Sequence, residues 1–348
     1  MFIKKIVFPE KEKAQLIDVE INDKLQPDEL LVKYDYSAIS AGTELANFLH
    51  LPNTQENFPK YPGYSASGHV IETGRKVSDF TIGDRVVLNW GCHVSHLIRT
   101  PEQAIMSNVK HPGFKGIVKI ENDSVSGIEA AFTHIASFPL LAVRKLKINI
   151  GESAMIAGCG LLGLIAIQFA KLSGAYPVMA LDFSPERREL AKQMGADIVF
   201  DPSDADMVQK IKDATRGCGP DVVVEVTGKA LALQQALEYI NYEGRITLLG
   251  CTRVSDVNID YYKYVHRRGI TMIGAHTMTR PHLDNRENAW TEKNDYRVIL
   301  DLLGAGRLSF KPLINRLVSP ADAHEVYTML ATGKNPPLGV VFDWSLLD

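Results

Sequence analysis

Cysteine is scarce. Cys92, Cys159, Cys218 and Cys251 are the only four in a 348-residue chain, and no two of them stand as C-x-x-C. That excludes a disulfide framework and fits reduced thiols in a reducing compartment. No segment offers the roughly 18 uninterrupted apolar residues of a membrane-spanning helix. The start, Met1-Phe-Ile-Lys-Lys-Ile-Val-Phe, has neither a long apolar core nor a small-residue cleavage site, so no secretory leader is expected. The expectation is a soluble, cytoplasmic protein with no membrane partner. An excess of one charge is missing too: 38 Lys and Arg face 41 Asp and Glu, for a net charge of -3. Without a basic run or a basic patch interleaved with aromatics, nucleic acid is excluded as a partner.

What is present is enough chain for about two domains. The first hundred or so residues alternate short apolar runs, such as Leu30-Leu-Val-Lys-Tyr and Asp84-Arg-Val-Val-Leu, with breaks at Pro62-Gly63, Gly74 and Gly83. This reads as a β-rich unit. From about Gly127 apolar residues recur at helical spacing through Ala142 to Leu146, with Pro139 expected to interrupt the helix. Strands at 153–157, 178–182, 197–200, 221–226, 245–249 and 270–275 then alternate with helices near 161–173, 185–194, 204–215, 229–241 and 259–266. Ser184-Pro185 supplies an N-cap and first helical residue, and Gly195 a stop. Six strands with crossover helices make a doubly wound parallel sheet, with a ligand expected at the strands' carboxyl ends. The tail holds a polar stretch from Thr279 to Asp295, helices near 295–304 and 320–332, and a closing strand at Leu338-Gly-Val-Val-Phe. Domain limits are accordingly 1–134 with 276–348, and 135–275.

The sharpest signal is Ala157-Gly-Cys-Gly-Leu-Leu-Gly163, between the apolar stretch Ser153 to Ala157 and the apolar helical pattern Leu164 to Leu172. Gly158, Gly160 and Gly163 stand in G-x-G-x-x-G spacing, with Leu161 and Leu162 opening the helix. Such a turn lets the backbone approach a pyrophosphate and presents the helix N-terminus to its charge. Asp182 closes the next strand, where a carboxylate accepts hydrogen bonds from an adenosine ribose and repels a 2′-phosphate. The expected cofactor is NAD. Arg187 either lies along the adenine edge or decorates its helix.

These residues resemble the medium-chain dehydrogenase/reductase superfamily of alcohol, sorbitol and threonine dehydrogenases. The likeness runs through Gly83-Asp-Arg-Val, the glycine turn, Val226-Thr-Gly228, Leu248-Leu-Gly250 and the C-terminal return. It implies a GroES-like β-rich catalytic domain and a Rossmann domain with a doubly wound six-stranded parallel sheet. Thr227, Gly228, Leu249, Gly250 and Ala275 are then the strand ends bordering the nicotinamide. Within the superfamily, Ala38-Ile-Ser-Ala-Gly-Thr-Glu44, Tyr61-Pro-Gly-Tyr-Ser-Ala-Ser-Gly68 and Arg286 through Trp290-Thr291 look most like a zinc-poor subgroup that includes bacteriochlorophyllide dehydrogenase.

Zinc members of the family hold their catalytic metal with a Cys, the His of G-H-E, and a Cys or Glu before the cofactor domain. Here the first place falls on Ser40 or Ala41, the second on Gly63-Tyr64-Ser65, and the third on Thr133 or His134. A catalytic zinc needs three protein donors with one position open, so none is expected. The four-cysteine structural zinc site also fails, because the stretch from Val86 to Met106 carries only Cys92. Without a metal a side chain must manage the hydroxyl proton. Tyr64 and His134 stand at ligand-equivalent places and lead; Thr43 matches the family's proton-relay Ser/Thr, and Ser40 belongs to the same pocket. The bland alternatives are a turn-covering ring for Tyr64, a core imidazole for His134 and a helix N-terminus for Thr43 and Glu44. One of His93 and His96 faces inward by alternation. His276 either contacts substrate or ends a strand; His282, Arg286 and Trp290 form either a lid or a solvated loop.

The resulting expectation is an NAD-dependent oxidoreductase moving a hydride between the nicotinamide and a secondary alcohol or ketone of a sugar, polyol or related polar metabolite, without zinc. A zinc-free quinone or enoyl reductase and a non-catalytic NAD(H) sensor are the alternatives. A homodimer or homotetramer is expected, with Ile270 to Ala275 as the pairing edge strand.

Overall fold

The computed structural model describes residues 1–105, 113–281 and 284–347. It divides into two compact units, Met1–Ile135 with Glu292–Asp348, and Ala136–Thr291. In chain order the elements are β1 (Phe2–Val7), β2 (Gln15–Glu20), β3 (Leu30–Ala38), α1 (Ala41–Phe48), β4 (Ser65–Thr73), β5 (Arg85–Asn89), β6 (His96–Arg99), β7 (Glu102–Ile105), β8 (Gly113–Lys119), α2 (Gly127–Ala130) and α3 (Thr133–Leu146). There follow β9 (Ala154–Ala157), α4 (Leu161–Leu172), β10 (Val178–Leu181), α5 (Pro185–Gln193), β11 (Ile198–Phe200), α6 (Met207–Ala214), β12 (Val222–Glu225), α7 (Ala230–Tyr239), β13 (Arg245–Leu248), α8 (Tyr261–Tyr264) and β14 (Thr271–Gly274). The tail adds α9 (Glu292–Gly304), β15 (Ile314–Val318), α10 (Ala323–Thr332) and β16 (Gly339–Asp343).

In the first unit the strands form a sheet in the order β15-β16-β3-β4-β5-β8-β7, with β6 pairing to β3 and a separate β1-β2 ribbon. One core gathers Leu30, Val32, Tyr34, Val70, Val86, Leu88 and Trp344. A second packs Phe8 and Phe48 against Tyr327 and Phe342. Each fully buried Val, Leu or Phe contributes about 1.5–3 kcal/mol, so the tail is anchored by its own apolar faces.

The second unit is a six-stranded sheet ordered β11-β10-β9-β12-β13-β14, and every pairing in it is parallel. Chain order reverses between β9 and β12, which start side by side with Val222 opposite Ala154. Ligands bind such sheets outside the carboxyl ends at that reversal. β9, β10 and β12 are buried along their whole length, as strands covered by helices on both faces must be. Strand β14 forms one edge, with β13 its sole neighbour in the sheet among the described residues.

Two expectations are corrected. α3 runs straight through Pro139, because Ile135, Ala136, Leu141 and Ala142 are fully buried and their packing outweighs the lost backbone hydrogen bond. The second unit also continues past 275. Lys145 donates to the Gly274 carbonyl and the Thr279 hydroxyl, both at 2.7 Å, and the Arg144 guanidinium lies 3.9 Å over the Trp290 ring. Those contacts tie the stretch after β14 to α3.

Candidate active site and nucleotide site

The glycine turn is shaped by close backbone approach. Gly158 adopts φ +110°, and a Cβ there would stand 2.9 Å from the Thr227 methyl. At Gly163 a Cβ would lie 1.9 Å from the Gly158 carbonyl oxygen, so α4 can follow the turn only if residue 163 has no side chain. Gly160 is the opposite case: a Cβ would meet nothing within 4 Å. It is the N-cap of α4, with no side chain capping the helix and no acid in its first turn. The first-turn N–H groups of α4 thus have no side-chain cap, and uncapped helix N-termini suit an anion.

Asp182, just past β10, stands beside this turn. One carboxylate oxygen accepts from Cys159 N–H at 2.8 Å and the other from Ser184 N–H at 2.9 Å. Ser184 caps α5 by accepting from Arg187 N–H. The sequence pattern singled out Arg187, yet Arg188 holds the loop: it donates to the carbonyls of Asp182 (2.7 Å) and Phe183 (2.9 Å) and pairs with Asp201 at 2.9 Å. Burial pushes the Cys159 thiol up to about 12, with Asp182 adding to the effect, so this cysteine is inert at neutral pH.

Across the reversal, the loops after β12 and β13 meet at two glycines, where a Cβ on Gly250 would lie 2.2 Å from Gly228 N. Leu249 and Gly250 both donate to the Glu225 carbonyl at 2.9 Å. Glu225 is missing from the sequence candidates. Its buried carboxylate accepts from Thr227 N–H at 2.8 Å and from the Thr227 hydroxyl, and burial raises its pKa. Ala275 is buried, with its N–H bonded to the Leu248 carbonyl at 3.2 Å. His276 caps a short turn, its Nδ1 accepting from Met278 N–H at 3.2 Å. Trp290 packs under Arg144, Arg286 bridges to Ala289, and His282 lies outside the described residues.

In the first unit, three segments far apart in sequence converge. The Tyr64 hydroxyl donates to Ser40 Oγ, and the Tyr64 ring meets the His134 ring edge-on with centroids 5.3 Å apart. Burial pushes the Tyr64 phenol up to about 12, a rise partly offset by hydrogen bonds to Ser40 and Thr43. Trp90 completes the cluster, with centroids 5.3 Å from Tyr64 and 5.1 Å from His134. It remains 39 % exposed and holds φ +53°, fixed by Arg99 donating to its carbonyl at 3.0 Å. His134 itself is 1 % exposed. Its Nδ1 lies 2.9 Å from Glu292 Oε1 and also contacts the Tyr296 hydroxyl.

Ser40 is held from behind. Its N–H donates to Glu44 Oε1 at 2.9 Å, while Glu44 Oε2 accepts from the Tyr327 hydroxyl at 2.5 Å and pairs with His93 Nε2 at 3.0 Å. His93 Nδ1 lies 2.8 Å from Ser37 Oγ, which also accepts from Trp344 Nε1 at 3.0 Å. His93 is therefore the inward member of its pair, and Glu44 is a buried brace for the start of α1. Among the described residues no group of three His, Cys, Asp or Glu is placed to share a metal ion. None of their helices is long and apolar enough to cross a membrane.

Residues 26–137 match the alcohol dehydrogenase GroES-like domain, and residues 162–293 match the zinc-binding dehydrogenase domain. An L-threonine 3-dehydrogenase from Caldanaerobacter subterraneus subsp. tengcongensis is 31% identical over 286 residues, 76% of this chain and 80% of that one. The chain belongs to the medium-chain dehydrogenase/reductase superfamily. A D-guloside 3-dehydrogenase from Escherichia coli K12 is 26% identical over 93% of this chain and 95% of its own. The crystal structure of 2R,3R-butanediol dehydrogenase from Bacillus subtilis superposes with a TM-score of 0.79 at 21% identity, covering 98% of this chain and 99% of the other. As a member of this superfamily the chain is an oxidoreductase, built from a GroES-like domain and a Rossmann-type parallel sheet.

Proposed function

We propose that this enzyme is an NAD-dependent dehydrogenase that interconverts a secondary alcohol and a ketone on a sugar, polyol or related polar metabolite without a catalytic zinc. The observation carrying the reading is the convergence of Ser40, Tyr64 and His134, which stand among the places that the resemblance matches to the family's zinc ligands. That set does not fit the metal. A hydroxyl, a phenol held near 12 by burial and one imidazole are poor replacements for the three thiolate, imidazole or carboxylate donors a catalytic zinc takes.

The dinucleotide fits the second unit. The room at Gly160, where a Cβ would meet nothing within 4 Å, and the uncapped start of α4 support a pyrophosphate there, and the Asp182 carboxylate beside the turn supports ribose hydroxyls over a 2′-phosphate. When bound, the nicotinamide supplies a hydride acceptor. Every other task belongs to side chains. With its pKa near 12, the Tyr64 phenol stays protonated at neutral pH, and when substrate binds, its one proton turns from Ser40 Oγ to the substrate oxygen. Ser40 orients that hydroxyl, and Thr43 supports it. His134 takes the proton during alcohol oxidation and returns it during ketone reduction.

Relatives named for threonine, a guloside and butanediol support a small hydroxyl-bearing substrate. The edge of β14 supports pairing with a second copy. A substrate panel tests the assignment. Polyols and sugar derivatives should reduce NAD, whereas turnover confined to quinones or enones would replace the proposal with a reductase, and binding without any turnover would replace it with a sensor.

A further inference from the structure

We infer that Glu292 is the positioning residue for His134, holding the imidazole in the tautomer whose Nε2 is the proton acceptor; the inference rests on the catalytic reading of His134 above. Glu292 opens α9, where Tyr296 follows one turn later. Its Oε1 lies 2.9 Å from His134 Nδ1 and accepts from the Tyr296 hydroxyl at 2.8 Å. Asn89, at the end of β5, donates from Nδ2 to the Tyr296 oxygen at 2.9 Å and lies 3.4 Å from the same carboxylate oxygen. Asn89 is itself oriented, its Oδ1 accepting from Gly116 N–H at 2.9 Å.

The carboxylate facing Nδ1 decides the tautomer. The Tyr296 hydroxyl has one proton, and the carboxylate takes it; its oxygen is then an acceptor for Asn89 and for Nδ1. The ionised carboxylate oxygen 2.9 Å from Nδ1 can only accept, so Nδ1 carries the proton. The opposite tautomer would set an imidazole lone pair 2.9 Å from a carboxylate oxygen around a ring only 1 % exposed, where unpaired polar groups are most costly. A neutral imidazole with Nδ1–H has its basic lone pair on Nε2. The carboxylate also stabilises the imidazolium formed when Nε2 takes a proton, since opposite charges at this range favour the charged form. Glu292 does not touch substrate in this scheme. It acts through His134.

The test is steady-state kinetics on full-length Glu292→Gln, Glu292→Asp, His134→Ala and the Glu292→Gln/His134→Ala double variant. Glu292→Gln should lower kcat by between about 10- and 10⁴-fold, the range spanned by outer-shell and triad orienting carboxylates. Substrate KM and NAD affinity should stay within about twofold, because no binding contact is removed. Glu292→Asp should recover part of the rate. In the His134→Ala background the second substitution should change nothing further, as expected of residues acting as one unit. A wild-type kcat in Glu292→Gln beside a crippled His134→Ala would overturn the inference alone, and so would losses that multiply in the double variant. A wild-type rate in His134→Ala would overturn the catalytic reading and this inference with it. Nitrogen-15 NMR of the unmodified protein gives a readout that needs no variant to fold: His134 should show Nδ1–H in its neutral form, and an Nε2–H signal would contradict the assignment.

Discussion

Gly160 and Gly163 share one motif yet should fail in opposite ways when changed to alanine. At Gly163 the new Cβ would sit 1.9 Å from the Gly158 carbonyl oxygen and 3.0 Å from its carbon. Relief requires moving α4 away from the turn by more than an ångström, in a region where Ile156, Leu164 and Ile167 are fully buried. Overpacking of that kind costs about 1–3 kcal/mol and sometimes more; a clash with backbone places it at about 3. At Gly160 the Cβ meets nothing within 4 Å and φ is -73°, so the cost is confined to a poorer N-cap, about 1 kcal/mol at most. For a unit of this size each kcal/mol moves Tm by about 2–4 °C. Gly163→Ala should thus unfold roughly 6–12 °C lower, and Gly160→Ala no more than about 4 °C lower. Nucleotide binding inverts the order of interest. Gly160→Ala fills the space assigned to the pyrophosphate and should weaken NAD by at least about 100-fold in a near-native fold. Calorimetric unfolding and NAD titration of both variants decide the matter. Wild-type NAD affinity in Gly160→Ala would refute the pyrophosphate placement, and an unchanged Tm in Gly163→Ala would refute the packing argument.

Three further outcomes follow from the same geometry. Asp182→Asn keeps the side chain's size but an acceptor for only one of the Cys159 and Ser184 N–H groups, and it removes the charge, so the preference for NAD over NADP should shrink by about tenfold or more, equivalent to about 1.4 kcal/mol; an unchanged ratio of dissociation constants would remove the ribose assignment. Tyr64→Phe should cost about 10²–10³-fold in kcat, the loss typical of one positioned donor, with NAD affinity unaltered; a wild-type rate would return the ring to packing. Asp221 counters its own burial by accepting from Asn241, from Ser153 N–H and hydroxyl, and by facing Arg245, which together lower its pKa. A depressed carboxylate stabilises the fold above its unfolded value of about 3.9 and loses that contribution as pH falls through the folded value. Asp221→Asn should therefore be less stable than wild type at pH 7, with the gap closing below about pH 4 in urea titrations; a gap independent of pH would contradict this.

The nucleotide half was legible in sequence because its information is local. Strand, glycine turn, helix and acid lie within thirty-odd residues, and each spacing carries its own geometry. The six strands and the Ser184 cap were readable for the same reason. The β-rich half was legible only in outline. Ser40, Tyr64 and His134 came together through resemblance to a family, since no periodicity links them. Their supports were not readable at all: Glu292 and Tyr296 reach His134 from α9, and Tyr327 reaches Glu44 from α10. Such pairs are set by tertiary packing across most of the chain. Pro139 shows the complementary failure, where a strong local breaker yields to a helix buried on nearly every side.

In the proposed chemistry, protein groups alone manage the proton while a bound dinucleotide carries the hydride. Its most direct test is NAD-linked turnover of a polyol or sugar substrate by protein stripped with a strong zinc chelator, with residual metal measured on the same sample. An undiminished rate at substoichiometric zinc is expected. A rate that disappears on stripping and returns with one equivalent of zinc would contradict it.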